Sequence, residues 1–264
     1  MYSISHIESS FNNITYIKMD SKDFENYIII HDAIKRFEEI DLIKKIAIKN
    51  SLDVLLYIKK ITRKLNNNFK ISHQEIHEIS IEYIIRATLL NQTFIENLKT
   101  YCKDLKPQQK TQIENYIKEN KKLQFLRLLR NYTYHSTIPI DTSIMIWDVI
   151  LKEYKDIKVI LMKNTLINNL KTSGKDRQFI DMLENDFKEE INLIDLFDDW
   201  IKEIHVLYEL ILKFLSENLK ENIKIFNDKF YNIFTSTNGY VTDFHDDRTY
   251  TSYIINKDIF MNLI

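Results

Sequence analysis

One stretch of the sequence places an arginine, an asparagine and a histidine at a spacing suited to acid–base chemistry on a phosphate. Arg130 and Asn131 are adjacent, and His135 follows four residues after Asn131. On a helix, Asn131 and His135 lie about 40° apart on one face, whereas Arg130 is turned about 140° from His135. Histidine exchanges protons near neutral pH, and arginine stays charged and pairs with phosphate oxygens. The pattern indicates metal-independent phosphodiester transfer, in which asparagine orients the phosphate or the histidine.

The helical spacing also suggests that two copies of the chain form the site. Arg130 and His135 of one helix flank a face and do not lie side by side. A two-fold axis through this face would bring both arginines and both histidines into one groove. In such a homodimer the complete site would lie between the two chains. The alternative interpretation is that both residues are solvated at a helix end, where the histidine interacts with the helix dipole.

Basic and aromatic residues around this motif favour contact with RNA. Between residues 121 and 140 the chain has four lysines and arginines and no acid. Such an excess can hold a phosphate backbone, and tyrosine rings can stack on unpaired bases. The predicted RNA-contacting residues are Lys121, Lys122, Arg127, Tyr132 and Tyr134. In the alternative interpretation, the lysines form a solvated basic face and the tyrosines pack in the core or an interface.

The opposite charge predominates between residues 181 and 199. This segment has eight acids, and its single basic residue is Lys188. The acids could mask the basic surface or bind a partner, or they could form a solvated helix face. The spacing alone leaves these interpretations open.

Apolar periodicity predicts the elements that position these residues, and it favours a mainly α fold. The predicted core helices cover residues 22–65, 72–104, 108–136 and 193–234. Ser72 and Glu75 have the spacing of a capping box, and Pro107 suits the first turn of the third helix. Pro139 should end that helix near Ser136, because the residue before a proline is pushed out of the α region.

The pattern changes between the third and fourth core helices. Two β-branched runs at 144–147 and 157–161 predict a small β-hairpin in an insertion covering about 141–190, with a short helix near Phe179. The tail at 235–264 is β-like, and Asn238-Gly239 predicts a tight turn. We expect a single up-and-down helical domain over residues 1–264.

Composition narrows the choice of fold and of functional class. Only 2 of 264 residues are glycine and 2 are proline, which argues against all-β sandwiches, dinucleotide-binding folds and glycine-rich phosphate loops. The net charge of -1 gives no overall attraction to nucleic acid or anionic lipid, so such binding must be local. One cysteine, Cys102, fits a reducing compartment. Without an apolar run of about 18 residues, we expect a cytoplasmic protein with no membrane partner.

Candidate metal sites are weak in this sequence. His73 and His77 are one helical turn apart, but Glu75 does not stand where the metalloprotease helix pattern needs it. The acids at 243–247 could hold a cation, but the segment is better explained as a polar loop. We therefore predict neither a metal nor another cofactor.

The motif resembles the R-N-x-x-x-H signature of the HEPN superfamily. Arg130-Asn131 and His135 match the signature, and the Pro139 turn after the helix is similar to that of other members. Membership implies a helical bundle that dimerises and acts as a metal-independent endoribonuclease with Arg130, Asn131 and His135 as catalytic residues. It also implies a toxin or an anti-phage defence effector, with an antitoxin or regulatory partner. Thr137 stands where some members carry a modified tyrosine, so neutralisation through that residue is not expected.

Two other classes of function remain open. The chain could be a non-catalytic HEPN-like module that binds a nucleotide, RNA or a protein. It could also be a helical scaffold in which the arginine–histidine spacing is accidental. Paired motif faces in a dimer would favour the nuclease.

Overall fold

The structure is a computed structural model of the chain. It describes residues 2–7, 14–67, 71–102, 105–135, 142–172, 177–236, 240–244, 250–255 and 257–263. The prediction of a mainly α fold with a small hairpin is confirmed. The helices are α1 (Ser21–Asn66), α2 (His73–Tyr101), α3 (Pro107–Glu119), α4 (Lys121–His135), α5 (Lys163–Thr172), α6 (Arg177–Asp186), α7 (Leu193–Ser236) and α8 (Lys257–Met261). The strands are β1 (Tyr2–Ile7), β2 (Ile14–Met19), β3 (Thr142–Asp148), β4 (Glu153–Met162), β5 (Glu190–Asn192), β6 (Tyr240–Phe244) and β7 (Tyr250–Ile254).

Local sequence signals explain where several helices begin. Ser72 caps α2: its hydroxyl accepts a hydrogen bond from the Glu75 backbone N–H, and the Glu75 carboxylate accepts one from the Ser72 backbone in return. Pro107 occupies the first turn of α3, where its missing N–H leaves no helical hydrogen bond unmade. The predicted capping box and the predicted proline start are both confirmed.

The predicted third core helix, 108–136, is wrong as a single element, because the chain breaks at Asn120. The backbone of Asn120 is extended (φ −77°, ψ 104°), which ends α3 at Glu119. Its side-chain Oδ1 then accepts hydrogen bonds of 3.1 Å from the backbone N–H groups of Lys122 and Leu123. Asparagine is among the best N-cap residues, so this side chain starts α4 as a new helix.

Replacing Asn120 with alanine should destabilise the protein by about 2–3 kcal/mol, the combined cost of a lost cap and a lost hydrogen bond to a carboxylate. The carboxylate is that of Glu203, which accepts a 2.6 Å hydrogen bond from Asn120 Nδ2. Urea unfolding measures the change in the free energy of unfolding. Asn97→Ala is the matched control, because Asn97 bonds only its own helix, at the Thr93 carbonyl, in the described contacts. Equal effects of the two substitutions would contradict the capping role.

The structure divides into two compact units, which we describe separately: residues 1–42 with 208–264, and residues 43–207. The prediction of one domain over the whole chain stays a prediction.

The unit formed by residues 43–207 contains the motif and one continuous apolar core. Sheet β3-β4-β5 is antiparallel, and Ile157, Val159 and Leu161 of β4 belong to the same core cluster as residues of α1, α2, α4, α5, α6 and α7. A buried polar contact accompanies this packing, because Asn91 Nδ2 donates a 2.7 Å hydrogen bond to the Ser51 hydroxyl. The hairpin and the short helix α6 confirm the prediction for the insertion, to which the structure adds α5 and β5.

The other unit combines the first half of α1, the second half of α7, α8 and a four-stranded sheet. The sheet order is β2-β1-β6-β7, with every pair antiparallel. Tyr27 packs its ring 5.6 Å from that of Phe226, and Phe226 in turn meets Phe260 edge-on. The β-like tail is therefore confirmed as two strands, while the tight turn predicted at Asn238-Gly239 lies outside the described residues.

Candidate functional site

Helix α4 is held by an apolar face, and its polar side carries the motif. Leu123, Phe125, Leu126, Leu128 and Leu129 are all buried, with at most 2% of their surface exposed. Five closely packed side chains in fifteen residues fix the position and rotation of the helix. The backbone positions of Arg130 and Asn131, which follow on the same helix, are therefore fixed as well.

Arg130 and Asn131 lie together in the last turns of α4. Both are half-buried, and Arg130 Nη1 donates a 3.1 Å hydrogen bond to Asn131 Oδ1. The bond uses one of the five guanidinium N–H groups of Arg130 and the amide oxygen of Asn131. The two amide N–H groups of Asn131 take no part in it. Both side chains can therefore donate to an anion while remaining bonded to each other.

His135 is the last residue of α4, and the structure describes its backbone. On the helix it stands one turn beyond Asn131, on the stripe that also contains the exposed Arg127. The side chains of His135, Tyr132 and Tyr134 lie outside the described residues, as do the predicted helix stop at Ser136 and the proline turn. The roles predicted for these three side chains stay predictions.

The two predicted RNA-contacting lysines lie at the opposite end of α4 and are paired with acids. Lys121 forms an ion pair with Asp186 of α6, and Lys122 Nζ lies 2.9 Å from Asp199 Oδ2 of α7. Both acids come from the acidic segment at 181–199. Nine residues of helix separate Lys121 from Arg130, a distance of about 14 Å. The structure thus places Arg127, Arg130 and Asn131 within about one turn of each other on α4, whereas the two lysines lie in its first turn.

These ion pairs have a local electrostatic cause. Lysines in the first turn of a helix meet the positive end of its dipole, so a nearby carboxylate offsets an unfavourable placement. Burial raises the pKa of Asp199, but the hydrogen bonds and charges of Lys122 and Lys202 outweigh it and hold that pKa below the ordinary carboxyl value. Asp199 therefore stays ionised at neutral pH, and its pairing with Lys122 persists.

A cluster that sequence reasoning missed anchors the start of α4. Glu203 of α7 accepts hydrogen bonds from Asn120 and, at 2.5 Å, from the Tyr116 hydroxyl. Burial, followed by this hydrogen bond to the carboxylate, raises the pKa of Tyr116 to about 12. Trp200 adds a 3.0 Å hydrogen bond from its Nε1 to the Lys122 carbonyl. Helical spacing places Trp200 and Glu203 on neighbouring positions of α7, but not their partners, which lie more than 75 residues away.

The weaker candidates gain no support as metal sites. His77 Nδ1 lies 3.2 Å from the Ser143 hydroxyl of β3, whereas the side chain of His73 lies outside the described residues. Of the acids at 243–247, Asp243 belongs to β6, whereas Asp246 and Asp247 lie outside the described residues. In the part of the chain that the structure describes, no three His, Cys, Asp or Glu side chains are grouped so as to hold a metal ion.

Neither the helices nor similarity to known proteins adds a further indication of function. Among the described helices, none combines the length and the apolar character needed to cross a membrane. The chain matches no known family model, no curated protein and no solved structure.

Proposed function

We propose that the protein is an endoribonuclease that works without a metal, of the type its R-N-x-x-x-H motif resembles. The observation that carries the proposal is the end of α4, where hydrogen-bonded Arg130 and Asn131 lie on the helix that carries His135 one turn further on. Phosphodiester transfer requires a group that exchanges protons and a cation that stabilises charge on the phosphate. The imidazole of His135 and the guanidinium of Arg130 can fill these two roles, and the amide of Asn131 can orient the phosphate.

The reaction begins with in-line attack of a ribose 2′-oxygen on the adjacent phosphorus. His135 in its neutral form accepts the 2′-hydroxyl proton as the oxygen–phosphorus bond forms. The bond from phosphorus to the 5′-oxygen breaks, and that oxygen receives a proton from a protonated imidazole. The products are a 2′,3′-cyclic phosphate and a 5′-hydroxyl. Arg130 stabilises the charge that develops on the phosphoryl oxygens, and Asn131 orients the phosphate.

A homodimer supplies both forms of the imidazole in one groove. With α4 on a two-fold axis, His135 of the partner subunit donates the proton while His135 of the first protomer accepts one. The two arginines then act on the same phosphate. Specific activity should therefore fall on dilution below the dissociation constant of the dimer.

The ion pairs of α4 define which part of the helix contacts RNA. With Lys121 and Lys122 held by Asp186 and Asp199, the exposed Arg127 is the cation nearest the motif on the same stripe. We assign the principal RNA contact to Arg127, with Tyr132 and Tyr134 stacking on bases. The second candidate is a non-catalytic module that binds RNA, a nucleotide or a protein. The same pairing reduces the free positive charge on α4, which favours the protein-binding form of that module.

RNA cleavage assays distinguish the two candidates. The nuclease cleaves single-stranded RNA equally well with and without EDTA, leaves 2′,3′-cyclic phosphate ends, and does not cleave at a position carrying 2′-deoxyribose. Binding without cleavage would support the module instead. Cleavage that stops on chelation, or that proceeds at the 2′-deoxy position, would overturn the mechanism.

Freeing the two lysines should strengthen RNA binding. The double variant Asp186→Asn/Asp199→Asn removes both pairing charges, and two additional phosphate contacts should raise affinity about 10-fold at low salt. Asp181→Asn/Asp195→Asn changes the net charge equally, at exposed acids of the same segment, and is the matched control. Fluorescence anisotropy with labelled single-stranded RNA measures both. Equal affinities of the two double variants would show that the ion pairs do not mask the lysines.

The cellular role follows from the activity by analogy with the family that the motif resembles. We propose that the protein acts in the cytoplasm as a toxin or an anti-phage defence effector, restrained by an antitoxin or another regulatory partner. Expression of the wild type should arrest growth, and expression of a motif variant should not.

A further inference from the structure

The tip of the β3–β4 hairpin exposes three consecutive large aliphatic side chains. Val149, Ile150 and Leu151 are 79%, 91% and 66% exposed, and Trp147 just below them is 48% exposed. Scattered apolar residues are common on protein surfaces, but a continuous protruding group marks a surface that is covered in the working state. The proposed nuclease mechanism does not use this feature.

Two backbone N–H groups of the tip are already paired within the hairpin. Asp148 Oδ1 accepts hydrogen bonds of 2.9 and 3.0 Å from the backbone N–H groups of Ile150 and Leu151. These hydrogen bonds lower the pKa of Asp148, with that from Leu151 as the largest cause. An unpaired N–H group is costly in an apolar medium, so this pairing removes one of the main obstacles to burying the tip in hydrocarbon.

The residue that closes the turn is a lysine, although its backbone conformation is one that other residues adopt more easily. Lys152 has a φ of 52°, in the left-handed region that glycine and asparagine tolerate at lower cost. Its side chain is exposed directly after the aliphatic group. The turn therefore places a positive charge beside the apolar tip in spite of an unfavourable backbone geometry.

More positive charge lies on the helix that meets the hairpin. Asn66, the last residue of α1, exchanges two hydrogen bonds with the Tyr154 backbone: Nδ2 donates to the carbonyl at 2.8 Å, and Oδ1 accepts from the N–H at 2.6 Å. The ring of Tyr154 in turn contacts Trp147 edge-on. The last two turns of α1 carry four exposed cations and no acid. They are Lys59, Lys60, Arg63 and Lys64.

These cations and the tip both lie near the contact between Asn66 and Tyr154. Seven residues of helix and three residues of strand each span about 10 Å from the Asn66–Tyr154 contact, so at most about 20 Å of backbone separates the cations from the tip. Among the described residues, none of the four α1 cations forms an ion pair, and the acids that flank the tip are Asp148 and Glu153. The cations Lys59, Lys60, Arg63, Lys64 and Lys152 outnumber these two carboxylates, so the net charge of the named residues is positive.

We propose that the hairpin tip and the basic end of α1 together bind the surface of an anionic lipid bilayer. Aliphatic side chains enter the acyl region, an exposed tryptophan lies at the interface, and lysines and arginines hold anionic headgroups. A convex tip enters a fluid bilayer without a matching cavity, whereas a protein partner needs a groove of complementary shape. Sequence analysis predicted no membrane partner, because no apolar run is long enough to span a bilayer, but binding at the bilayer surface needs no such run.

Vesicle sedimentation with the full chain tests the proposal. We expect binding to vesicles of phosphatidylcholine mixed equally with phosphatidylglycerol, and much weaker binding to phosphatidylcholine alone. Leu151→Ser should lower the affinity about 10-fold or more, through the loss of buried apolar surface. Leu42→Ser is the matched control, because Leu42 is 59% exposed on α1 outside this surface. It should bind as the wild type does.

The charge component is tested separately. Arg63→Glu/Lys64→Glu should abolish the preference for anionic vesicles, whereas Lys220→Glu/Lys224→Glu, a matched reversal at exposed positions of α7, should preserve it. Trp147 gives a spectroscopic signal: its emission should shift to the blue on binding. The other tryptophan, Trp200, is fully buried and should not respond, and Trp147→Phe should remove the shift.

The outcomes that overturn the proposal are distinct. Wild-type protein that fails to sediment with anionic vesicles, or that sediments equally well after Leu151→Ser, refutes lipid binding by the tip. Leu151→Ser that changes the oligomeric state while no vesicle binds identifies the tip as a protein interface instead. RNA cleavage by the motif is not affected by either result, because the tip variants leave α4 intact.

Discussion

Arg130→Ala should lower kcat for RNA cleavage about 10²–10³-fold, the usual loss when one group that stabilises transition-state charge is removed. The guanidinium lies at the end of α4, is half-buried and is bonded to Asn131. Because it acts on charge that develops during the reaction, KM should change much less than kcat. Arg130→Lys keeps the charge but loses the planar fork, so it should recover part of the rate.

Single-turnover cleavage of a labelled RNA measures these effects, and circular dichroism verifies that each variant is folded. Arg86→Ala is the matched control, because Arg86 is exposed on α2 outside the motif. Its rate should equal that of the wild type. A rate for Arg130→Ala within a few fold of that of Arg86→Ala would remove Arg130 from the catalytic residues.

Trp200→Ala should lower the free energy of unfolding by about 3–5 kcal/mol, as large-to-small substitutions of buried aromatic residues do. Trp200 is fully buried, packs edge-on against Phe197 at 4.8 Å and donates a hydrogen bond to the Lys122 carbonyl. The substitution leaves a cavity beside the start of α4. It should therefore also reduce activity at temperatures well below the unfolding transition.

Urea unfolding followed by far-UV circular dichroism measures the change. Trp147→Ala removes the same side chain where it is half exposed, and should cost about 1 kcal/mol or less. Trp200→Phe keeps most of the volume and should have an intermediate effect. Equal destabilisation by Trp200→Ala and Trp147→Ala would mean that the core around α4 does not depend on Trp200.

Helical periodicity predicted α1, α2 and α7 to within a few residues, since their apolar stripes are long and are bounded by caps or polar runs. The same reasoning joined α3 to α4, because apolar residues continue on both sides of Asn120 and no glycine or proline lies between Ile117 and Leu123. The break depends on an asparagine that caps one helix and bonds Glu203, 83 residues away. The spacing of apolar residues along the sequence gives no information about that contact.

The strands of the N-terminal segment show the same limit. Residues 2–7 pair with residues 14–19 locally, but also with β6 at Tyr240–Phe244, more than 230 residues further along the chain. The first element predicted from the sequence begins at residue 22, so the first 20 residues were assigned no element. Short strands gain their stability from such distant partners, and their own residues give a weak signal.

The candidate site was accessible from sequence only in part. The spacing of Arg130, Asn131 and His135 follows directly from helix geometry, and the structure places the first two together. The partners of Lys121 and Lys122 are 65 and 77 residues away, on α6 and α7. Local charge counts predicted a free basic surface at these lysines. Masking of that surface by the acidic segment was only one of the alternatives. The exposed hairpin tip likewise became visible only once the burial of each side chain was known.

The most direct test of the central claim is single-turnover RNA cleavage by the wild type, His135→Ala and His205→Ala in excess EDTA. His205 is an exposed histidine of α7, remote in sequence from the motif. We predict full cleavage by the wild type and by His205→Ala, and a rate lowered about 10²–10⁴-fold in His135→Ala, as expected for the loss of a general acid–base. Cleavage by His135→Ala at the wild-type rate would contradict the account.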